Sequence, residues 1–219
     1  MTDSLDDVYG RRFSDAEAVE KHALWRVICH HLQRYVDEGA VVLDLACDRG
    51  YFIQNITAGE RWATDVRDVS AYLSQDIHFV QADGLTLDQV LSPGTFDAVF
   101  MSNYLEHLPS GEAVVQQLRV VRNLLRPGGQ AIILQPNVRL LGGAYWDFID
   151  HSVALTERSL AEAAELAGLE TAKVIKRFLP YTTKSRIPQR PFMVRMYLAF
   201  PPAWYLLGKQ TLYFAERRS

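Results

Sequence analysis

An aspartate-rich turn in the first half of the chain has the residue types and spacing of a nucleoside-binding site. The stretch VVLDLACDRGYF, residues 41–52, reads as an apolar strand that runs into a turn from Asp44 to Gly50. Asp65 follows Asp44 by 21 residues, at the end of the next apolar run. A carboxylate at that place can accept hydrogen bonds from both hydroxyls of a ribose. The two aspartates therefore predict a nucleoside-containing cofactor.

The turn lacks the glycines of a dinucleotide site. A dinucleotide fingerprint requires Gly-x-Gly-x-x-Gly so that backbone amides can approach a pyrophosphate, whereas this turn reads Ala-Cys-Asp-Arg-Gly and keeps only Gly50. Asp48 would repel phosphates. A sulfonium cation would tolerate or benefit from the same acidic turn, so the sequence favours S-adenosylmethionine over a nicotinamide dinucleotide.

Two non-glycine residues of the turn bear on how well it binds a cofactor. Ala46 adds only a methyl group and fits provided that its φ is not positive. Asp48 is harder to accommodate, because non-glycine residues with positive φ are uncommon, although aspartate is among the better tolerated. These residues leave open an alternative to an enzyme, a scaffold that binds the methyl donor without turnover.

The elements that must position this turn alternate between strand and helix. Apolar runs typical of covered parallel strands are AVVLDL, RWATD, IHFVQAD, FDAVFMS and GQAIILQP, and the strand-like runs ETAKVIKRF and TLYFAERR close the chain. Helices are predicted after a capping box at Ser14–Glu17, over residues 111–125, and from the N-cap Thr156 to the stop at Gly168. This alternation predicts one α/β, doubly wound domain over residues 1–219.

Five motifs along the chain form a recognisable series. They read VLDLACDRG, ATDV, QADG, FDAVFMSNYLEHL and LLRPGGQAIIL. In this order and spacing, residues 40–180 resemble class I S-adenosylmethionine-dependent methyltransferases, and more loosely small bacterial enzymes of saccharide and secondary-metabolite biosynthesis. The resemblance implies a Rossmann-like, seven-stranded, mostly parallel sheet with an antiparallel last strand, and S-adenosylhomocysteine as the product of the cofactor.

The resemblance also implies binding roles for the motif residues. Asp65 would bind the ribose, Asp83 the adenine amino group, and the backbone of Gly84 the adenine ring, while the Asp44–Gly50 turn would hold the methionine part. Tyr9, Tyr51 and Tyr104 are candidate lid or wall residues, because an aromatic face near a sulfonium gains a cation–π interaction; ordinary packing is the alternative for each. The expected cofactor-binding residues are Asp44, Ala46, Cys47, Asp48, Gly50, Tyr51, Asp65, Val66, Asp83, Gly84, Ser102 and Asn103.

Two histidines are candidates for the catalytic base. Methyl transfer to a hydroxyl generally requires proton removal, and His107 follows the fourth strand while His151 follows the fifth, beside Asp150. Structural contacts are the alternative for each. Asp147 and Asp150 could instead hold a divalent metal, but one loop's carboxylates are weak support, and no metal is predicted. The predicted reaction is O-methylation of a natural product, saccharide or lipid-linked glycoside, with N- or carboxyl methylation as the alternative.

Charge is distributed unevenly along the chain, whose net charge is −3. Residues 173–219 hold ten basic residues and one acid, so this part is expected either to meet something anionic or to form a solvated basic rim with no partner. An aromatic and basic insertion, 181–208, separates the core at 40–180 from the last strand at 209–219, and a helical lid at 1–39 precedes the core. The insertion is predicted to cap the substrate pocket, to contact a membrane surface through 184–207, or to form a homodimer. No nucleic-acid motif and no signal peptide are recognised, so a cytoplasmic location is expected.

Overall fold

The structure is a computed structural model that describes residues 15–181 and 190–218. Ser14 of the predicted capping box, Tyr9 of the predicted lid, and residues 182–189 of the insertion lie outside the described residues.

One seven-stranded sheet organises the described chain, in the order β3-β2-β1-β4-β5-β7-β6. The strands β1 to β5 pair in parallel, and β7 runs antiparallel to both β5 and β6. This confirms the predicted Rossmann-like sheet with its antiparallel last strand. The strand bounds are β1 Val41–Leu45, β2 Glu60–Asp65, β3 Ile77–Gln81, β4 Phe96–Ser102, β5 Leu125–Pro136, β6 Glu170–Leu179 and β7 Gln210–Glu216.

Helices flank the sheet, and among those that begin with a side-chain cap are the helices that follow Ser110 and Thr156. Ser110 Oγ accepts from the backbone N–H of Ala113, and Thr156 forms a capping box with Ser159. The chain leaves the second of these helices through Gly168, at φ 79°, as the sequence predicts. The bounds are α1 Asp15–Leu32, α2 Gly111–Leu124, α3 Val138–Leu141, α4 Glu157–Leu166, α5 Pro191–Ala199 and α6 Pro201–Leu207.

The two faces of the sheet build two hydrophobic layers because neighbouring strand residues point to opposite sides. Leu43 and Leu45 pack with the buried faces of α2 and α4. Val42 and Phe100 pack on the other face, among buried residues of α1. With apolar cover on both faces, the parallel strands read as continuous apolar runs in the sequence.

The described part of the insertion packs against α1 and β6. Leu198 is buried in the α1 layer, and the Trp204 ring lies 5.6 Å from His31 and 5.4 Å from Phe178 between ring centroids. Seven large apolar side chains of this part remain exposed: Phe192, Met193, Met196, Phe200, Tyr205, Leu206 and Leu207. None of the helices within 15–181 and 190–218 has the length and apolarity needed to cross a membrane.

The carboxyl ends of the parallel strands bring the motif residues to one edge of the sheet. Leu45 of β1 pairs with Thr64 of β2 on one side and with Met101 of β4 on the other. Ser102, at the end of β4, pairs with Leu134 of β5. Ligands of open α/β sheets bind at this edge, which makes the turns that leave it the place to look for a site.

Candidate functional site

The Asp44–Gly50 turn has the backbone of a glycine-rich turn although only its last residue is glycine. Ala46, Asp48 and Gly50 all have positive φ, at 58°, 52° and 70°. Ala46 is expected to fit only if its φ is not positive, and this condition is not met. Asp48 has the positive φ that is uncommon for non-glycine residues. At Gly50 a Cβ would lie 2.3 Å from Leu73 Cδ2, so only glycine fits there unless Leu73 moves.

Backbone hydrogen bonds to the second strand hold this unusual conformation in place. Cys47 N–H donates to Thr64 O at 2.9 Å, and Asp48 N–H donates to Asp65 Oδ2 at 3.0 Å. Asp44 is buried beneath the turn, where it accepts from Ile53 N–H at 3.3 Å. The turn thus depends on the carboxylate that the sequence assigns to ribose.

Two basic side chains neutralise the carboxylates at the rim of the turn. Arg67 donates from Nε to Asp65 Oδ1 at 3.0 Å and from Nη2 to Asp48 Oδ1 at 3.3 Å. Lys21 of α1 lies 3.4 Å from Asp48 Oδ2, and its ammonium is 4.5 Å from the centroid of the Tyr51 ring. The buried Tyr51 therefore already presents its ring to a cation, although that cation belongs to the protein.

The acidic groups perturb the titration of the buried part of the turn. Burial raises the pKa of Asp44 well above its ordinary value, and the neighbouring Asp65 and Asp48 carboxylates raise it further. Burial likewise raises the pKa of the Cys47 thiol, with Asp44 the next largest cause. The environment penalises additional negative charge, so it suits a cationic or neutral ligand better than a phosphate.

Three further residues that the sequence predicts to bind the cofactor, Val66, Asp83 and Gly84, lie beside the ends of β2 and β3. Val66 is 66% exposed directly after Asp65, which offers apolar surface for a flat ring. The exposed Asp83 caps the following turn through Leu85 N–H at 2.9 Å. A Cβ on Gly84 would lie 2.5 Å from Tyr104 Oη. The Tyr104 hydroxyl is held at this place by the hydrogen bond that it donates to Gln117 Oε1. Tyr104 therefore supports the Gly84 turn.

At the end of β4, the chain turns through a third non-glycine residue with positive φ. Asn103 has φ 48°, and its backbone N–H donates to Leu134 O at 2.9 Å. Its side-chain amide donates to Ser102 Oγ at 3.0 Å. Ser102 and Asn103 thereby lie on the same edge of the sheet as the acidic turn.

His107 and His151 come together from the loops that follow β4 and β5. Their ring centroids are 5.1 Å apart. Nδ1 of His107 lies 3.1 Å from Asp150 O and 3.5 Å from Asp150 Oδ2, and Nδ1 of His151 lies 2.6 Å from Tyr145 O. Glu106 Oε1 is 3.9 Å from His107 Nε2, so a carboxylate accompanies the two imidazoles.

Most of the chain, including the residues at this edge, matches a known protein family. The family is described as a methyltransferase domain, and its model matches residues 20–174. The chain belongs to this methyltransferase family. S-adenosylmethionine is accordingly its cofactor, and the protein is an enzyme.

Solved structures share the methyltransferase's fold at low sequence identity, and so show the fold alone. A chain of the complex between the Haloferax volcanii Trm112 methyltransferase activator and a methyltransferase is 18% identical, with a TM-score of 0.66; the match covers 96% of this chain and 95% of that chain. An S-adenosylmethionine-dependent methyltransferase from Archaeoglobus fulgidus is 18% identical with a TM-score of 0.62, and the match covers 88% of this chain and 94% of that chain. The [4+2]-cyclase SpnF is 18% identical with a TM-score of 0.60, and the match covers 89% of this chain and 80% of that chain. No curated protein matches the chain in sequence.

The residues of the turn fit a cofactor that carries a sulfonium cation and no phosphate. Positive φ at Ala46, Asp48 and Gly50 gives the turn a tight path, and its carboxylates, although already paired with Lys21 and Arg67, suit a cation better than a phosphate. Asp65, Asp83 and the apolar Val66 offer contacts for ribose and adenine. Binding of the ribose by Asp65 would have to share or displace the Arg67 side chain.

Sequence reasoning missed four side chains of this region: Lys21, Arg67, Glu106 and Gln117. Arg67 lies two residues after Asp65, so its proximity to that carboxylate could have been inferred from the local sequence. Glu106 precedes His107, and its burial could not be inferred, because a carboxylate in a loop is ordinarily exposed. Lys21 and Gln117 act across long sequence separations that only the fold reveals.

Proposed function

We propose that the methyltransferase transfers its methyl group to a hydroxyl oxygen of a small acceptor, with His107 or His151 as the base. The observation that carries this proposal is the pairing of two imidazoles from the loops that follow β4 and β5, with ring centroids 5.1 Å apart. Ligands enter open α/β sheets at that edge. An acceptor between the acidic turn and these rings would present its oxygen to both the methyl donor and a base.

Each group of residues has a separate task in this proposal. The cofactor supplies an electrophilic methyl group on sulfur. Asp65 accepts from the ribose, Asp83 and Val66 hold the adenine, and the turn from Asp44 to Gly50 orients the methionine part. Holding donor and acceptor in line contributes to the rate mainly through alignment and exclusion of water. The base removes the proton that the hydroxyl loses when its oxygen forms the new bond to carbon.

The insertion supports an acceptor of natural-product, saccharide or lipid-linked glycoside character. Its exposed phenylalanine, methionine and leucine side chains lie on α5 and α6 and at the junction between them, with Arg195 on α5 and Arg190 directly before it. Aromatic faces suit sugar rings or acyl chains, and guanidinium groups suit phosphate or carboxylate. We include peripheral membrane contact through 184–207 in the proposal, because the apolar and basic residues are those of an interfacial helix.

A panel of acceptors tests the reaction class. The enzyme is incubated with methyl-labelled S-adenosylmethionine and hydroxyl, amine and carboxyl acceptors, and the methylated atom is identified by NMR. A methyl ether is the expected product, and replacement of both histidines by alanine should lower kcat by about 10²–10⁴-fold. Methylation of an amine or carboxyl group, with activity kept in the double variant, would favour the alternative reaction. Donor binding without product on the whole panel would favour a scaffold.

A further inference from the structure

We propose that Glu106, His107 and His151 bind one divalent transition-metal ion of the zinc type at the acceptor edge of the sheet. One ligand atom from each residue lies within 4.8 Å of the others. Two of the three residues come from the loop after β4, and the third comes from the loop after β5. Two imidazoles and one carboxylate are a ligand set of known metal enzymes.

The hydrogen bonds of the two imidazoles identify the nitrogen that would bind the ion. A backbone carbonyl only accepts, so Nδ1 of His151, at 2.6 Å from Tyr145 O, must donate. The same holds for Nδ1 of His107, at 3.1 Å from Asp150 O. When such a ring carries one proton, that proton is on Nδ1, and the lone pair that a metal can bind is on Nε2. Metal-binding histidines characteristically donate their other N–H in this manner, which fixes the tautomer and the ring orientation.

The carboxylate ligand is also held from behind. Glu106 is 1% exposed, and its Oε2 accepts from Gln135 Nε2 at 2.8 Å. Its backbone carbonyl accepts from Ser152 N–H at 2.8 Å and from Val153 N–H at 3.1 Å. The loop that carries His151 is thus anchored directly to Glu106, so the three side chains are brought together before any ion arrives.

The ligand types select the kind of ion. Imidazole nitrogens suit Zn²⁺, Co²⁺, Ni²⁺ and Fe²⁺, whereas Mg²⁺ and Ca²⁺ prefer oxygen ligands. Metal–ligand distances of about 2.0–2.2 Å place tetrahedral ligand atoms roughly 3.3 Å apart, so the most distant of these ligand atoms, up to 4.8 Å apart, would approach each other by up to about 1.5 Å. Three protein ligands leave at least one coordination position open, as in catalytic rather than structural zinc sites.

The open position gives the ion a role that depends on the proposed O-methylation. A hydroxyl that coordinates a divalent cation has a lower pKa, so the ion would both position the acceptor oxygen and ease the loss of its proton. With the ion bound, the two imidazoles would be ligands instead of the base of the proposed function, and the proton of the acceptor hydroxyl would pass to solvent. Metal binding itself does not depend on the identity of the acceptor.

Metal titrations test the site without an acceptor. Tag-free protein, stripped with a chelator, is titrated with Zn²⁺ by calorimetry and with Co²⁺ by visible absorption. We expect one equivalent to bind, with at least about tenfold weaker binding in Glu106→Gln and His151→Ala. His30→Ala, which removes an exposed imidazole on α1, should bind as the wild type does. Circular dichroism shows whether each variant is folded.

A crystal soaked in Zn²⁺ provides a measurement that needs no variant. An anomalous peak among the three side chains is expected at the zinc edge. A peak elsewhere, no binding to the wild type, equal affinity in Glu106→Gln and His151→Ala, or a preference for Mg²⁺ over Zn²⁺ would each overturn the metal site. Failure of the metal site would leave O-methylation with an imidazole base standing, since the acceptor panel tests that proposal separately.

Discussion

Arg67 donates three hydrogen bonds to the Asp65 carboxylate, and the backbone N–H of Asp48 donates a fourth. The Arg67 backbone N–H and Nε both donate to Oδ1 at 3.0 Å, and its Nη2 donates to Oδ2 at 3.2 Å. Asp48 N–H is the second donor to Oδ2, at 3.0 Å. A carboxylate offers about four lone-pair positions, and all are filled. A ribose that binds Asp65 must therefore replace the bonds from the Arg67 side chain.

Replacement of Arg67 by alanine should tighten the binding of S-adenosylmethionine. The substitution frees two acceptor positions on Asp65 and removes a cation from a site that binds a cation. Because the guanidinium is partly exposed, we expect an affinity gain of only about three- to tenfold, less than a buried charged hydrogen bond would give. Calorimetric titration measures it, and Arg126→Ala, which removes an exposed ion pair with Asp97, is the control. Weaker binding would show that Arg67 orients the carboxylate instead of competing for it.

Replacement of Ala46 by glycine should stabilise the protein. A left-handed φ costs a residue with a Cβ about 1–2 kcal/mol, and glycine avoids this cost. The greater backbone freedom of glycine in the unfolded chain offsets about 0.5–1 kcal/mol of the stabilisation. We expect a net gain of about 0.5–1 kcal/mol in the free energy of unfolding, measured with urea. The matched control, Ala98→Gly in β4, should destabilise the fold because Ala98 is buried in a strand. A loss of stability in Ala46→Gly would mean that the Ala46 methyl group makes packing contacts that outweigh its φ.

Acid should loosen the contact between the insertion and α1 through His31. The side chain is 7% exposed between Phe178 and Trp204. Burial, with smaller contributions from nearby Arg34, His30 and Lys173, lowers its pKa from 6.5 to about 4. The unfolded chain therefore binds more protons between these values, so stability is present above pH 6.5 and is lost as pH falls towards 4. We expect a loss on the order of 2 kcal/mol between pH 7 and pH 5.

The measurement for His31 is thermal unfolding across this pH range, followed by tryptophan fluorescence. A loss of that size lowers the melting temperature by roughly 4–8 °C. His31→Phe should remove most of the acid sensitivity, while His30→Ala should keep it. Equal pH profiles in the wild type and His31→Phe would refute the assignment to this ring.

The exposed apolar side chains of α5 should bind the protein to anionic membranes. Phe192 and Met196 are 69% and 57% exposed, and Arg195 on α5, with Arg190 directly before the helix, would attract anionic headgroups. Sedimentation with phosphatidylglycerol vesicles measures the bound fraction. We expect the double change Phe192→Ser with Met196→Ser to lower it at least about threefold, and Val19→Ser, at an exposed position of α1, to leave it unchanged. A concentration-dependent dimer with no vesicle binding would assign these side chains to a protein interface.

The sequence predicted the fold because its local signals agree with one another. The apolar runs that become β1, β2 and β4, the cap at Thr156 and the stop at Gly168 each require no knowledge of distant residues. The order of the last strands came from the family resemblance rather than from the pattern of residues.

The candidate site was less predictable than the fold because its contacts are distant in the chain. The motifs located Asp44, Asp65 and Asp83, but no local pattern predicts that Lys21 of α1 reaches Asp48. His107 and His151 were each singled out, yet their closeness depends on how two loops meet through Glu106. The positive φ of Ala46 follows from the path that the chain takes between β1 and β2. It cannot be inferred from the residue type, because alanine usually adopts negative φ.

The central claim is that the acidic turn is a working site for S-adenosylmethionine, and one calorimetric experiment tests it most directly. The wild type, Asp65→Ala and the control Asp76→Asn, which changes an exposed carboxylate, are titrated with S-adenosylmethionine. We predict one equivalent bound by the wild type and by the control, with at least about tenfold weaker binding in Asp65→Ala, because two charged hydrogen bonds to ribose are lost. No binding by the wild type, or equal affinity in Asp65→Ala, would contradict the account.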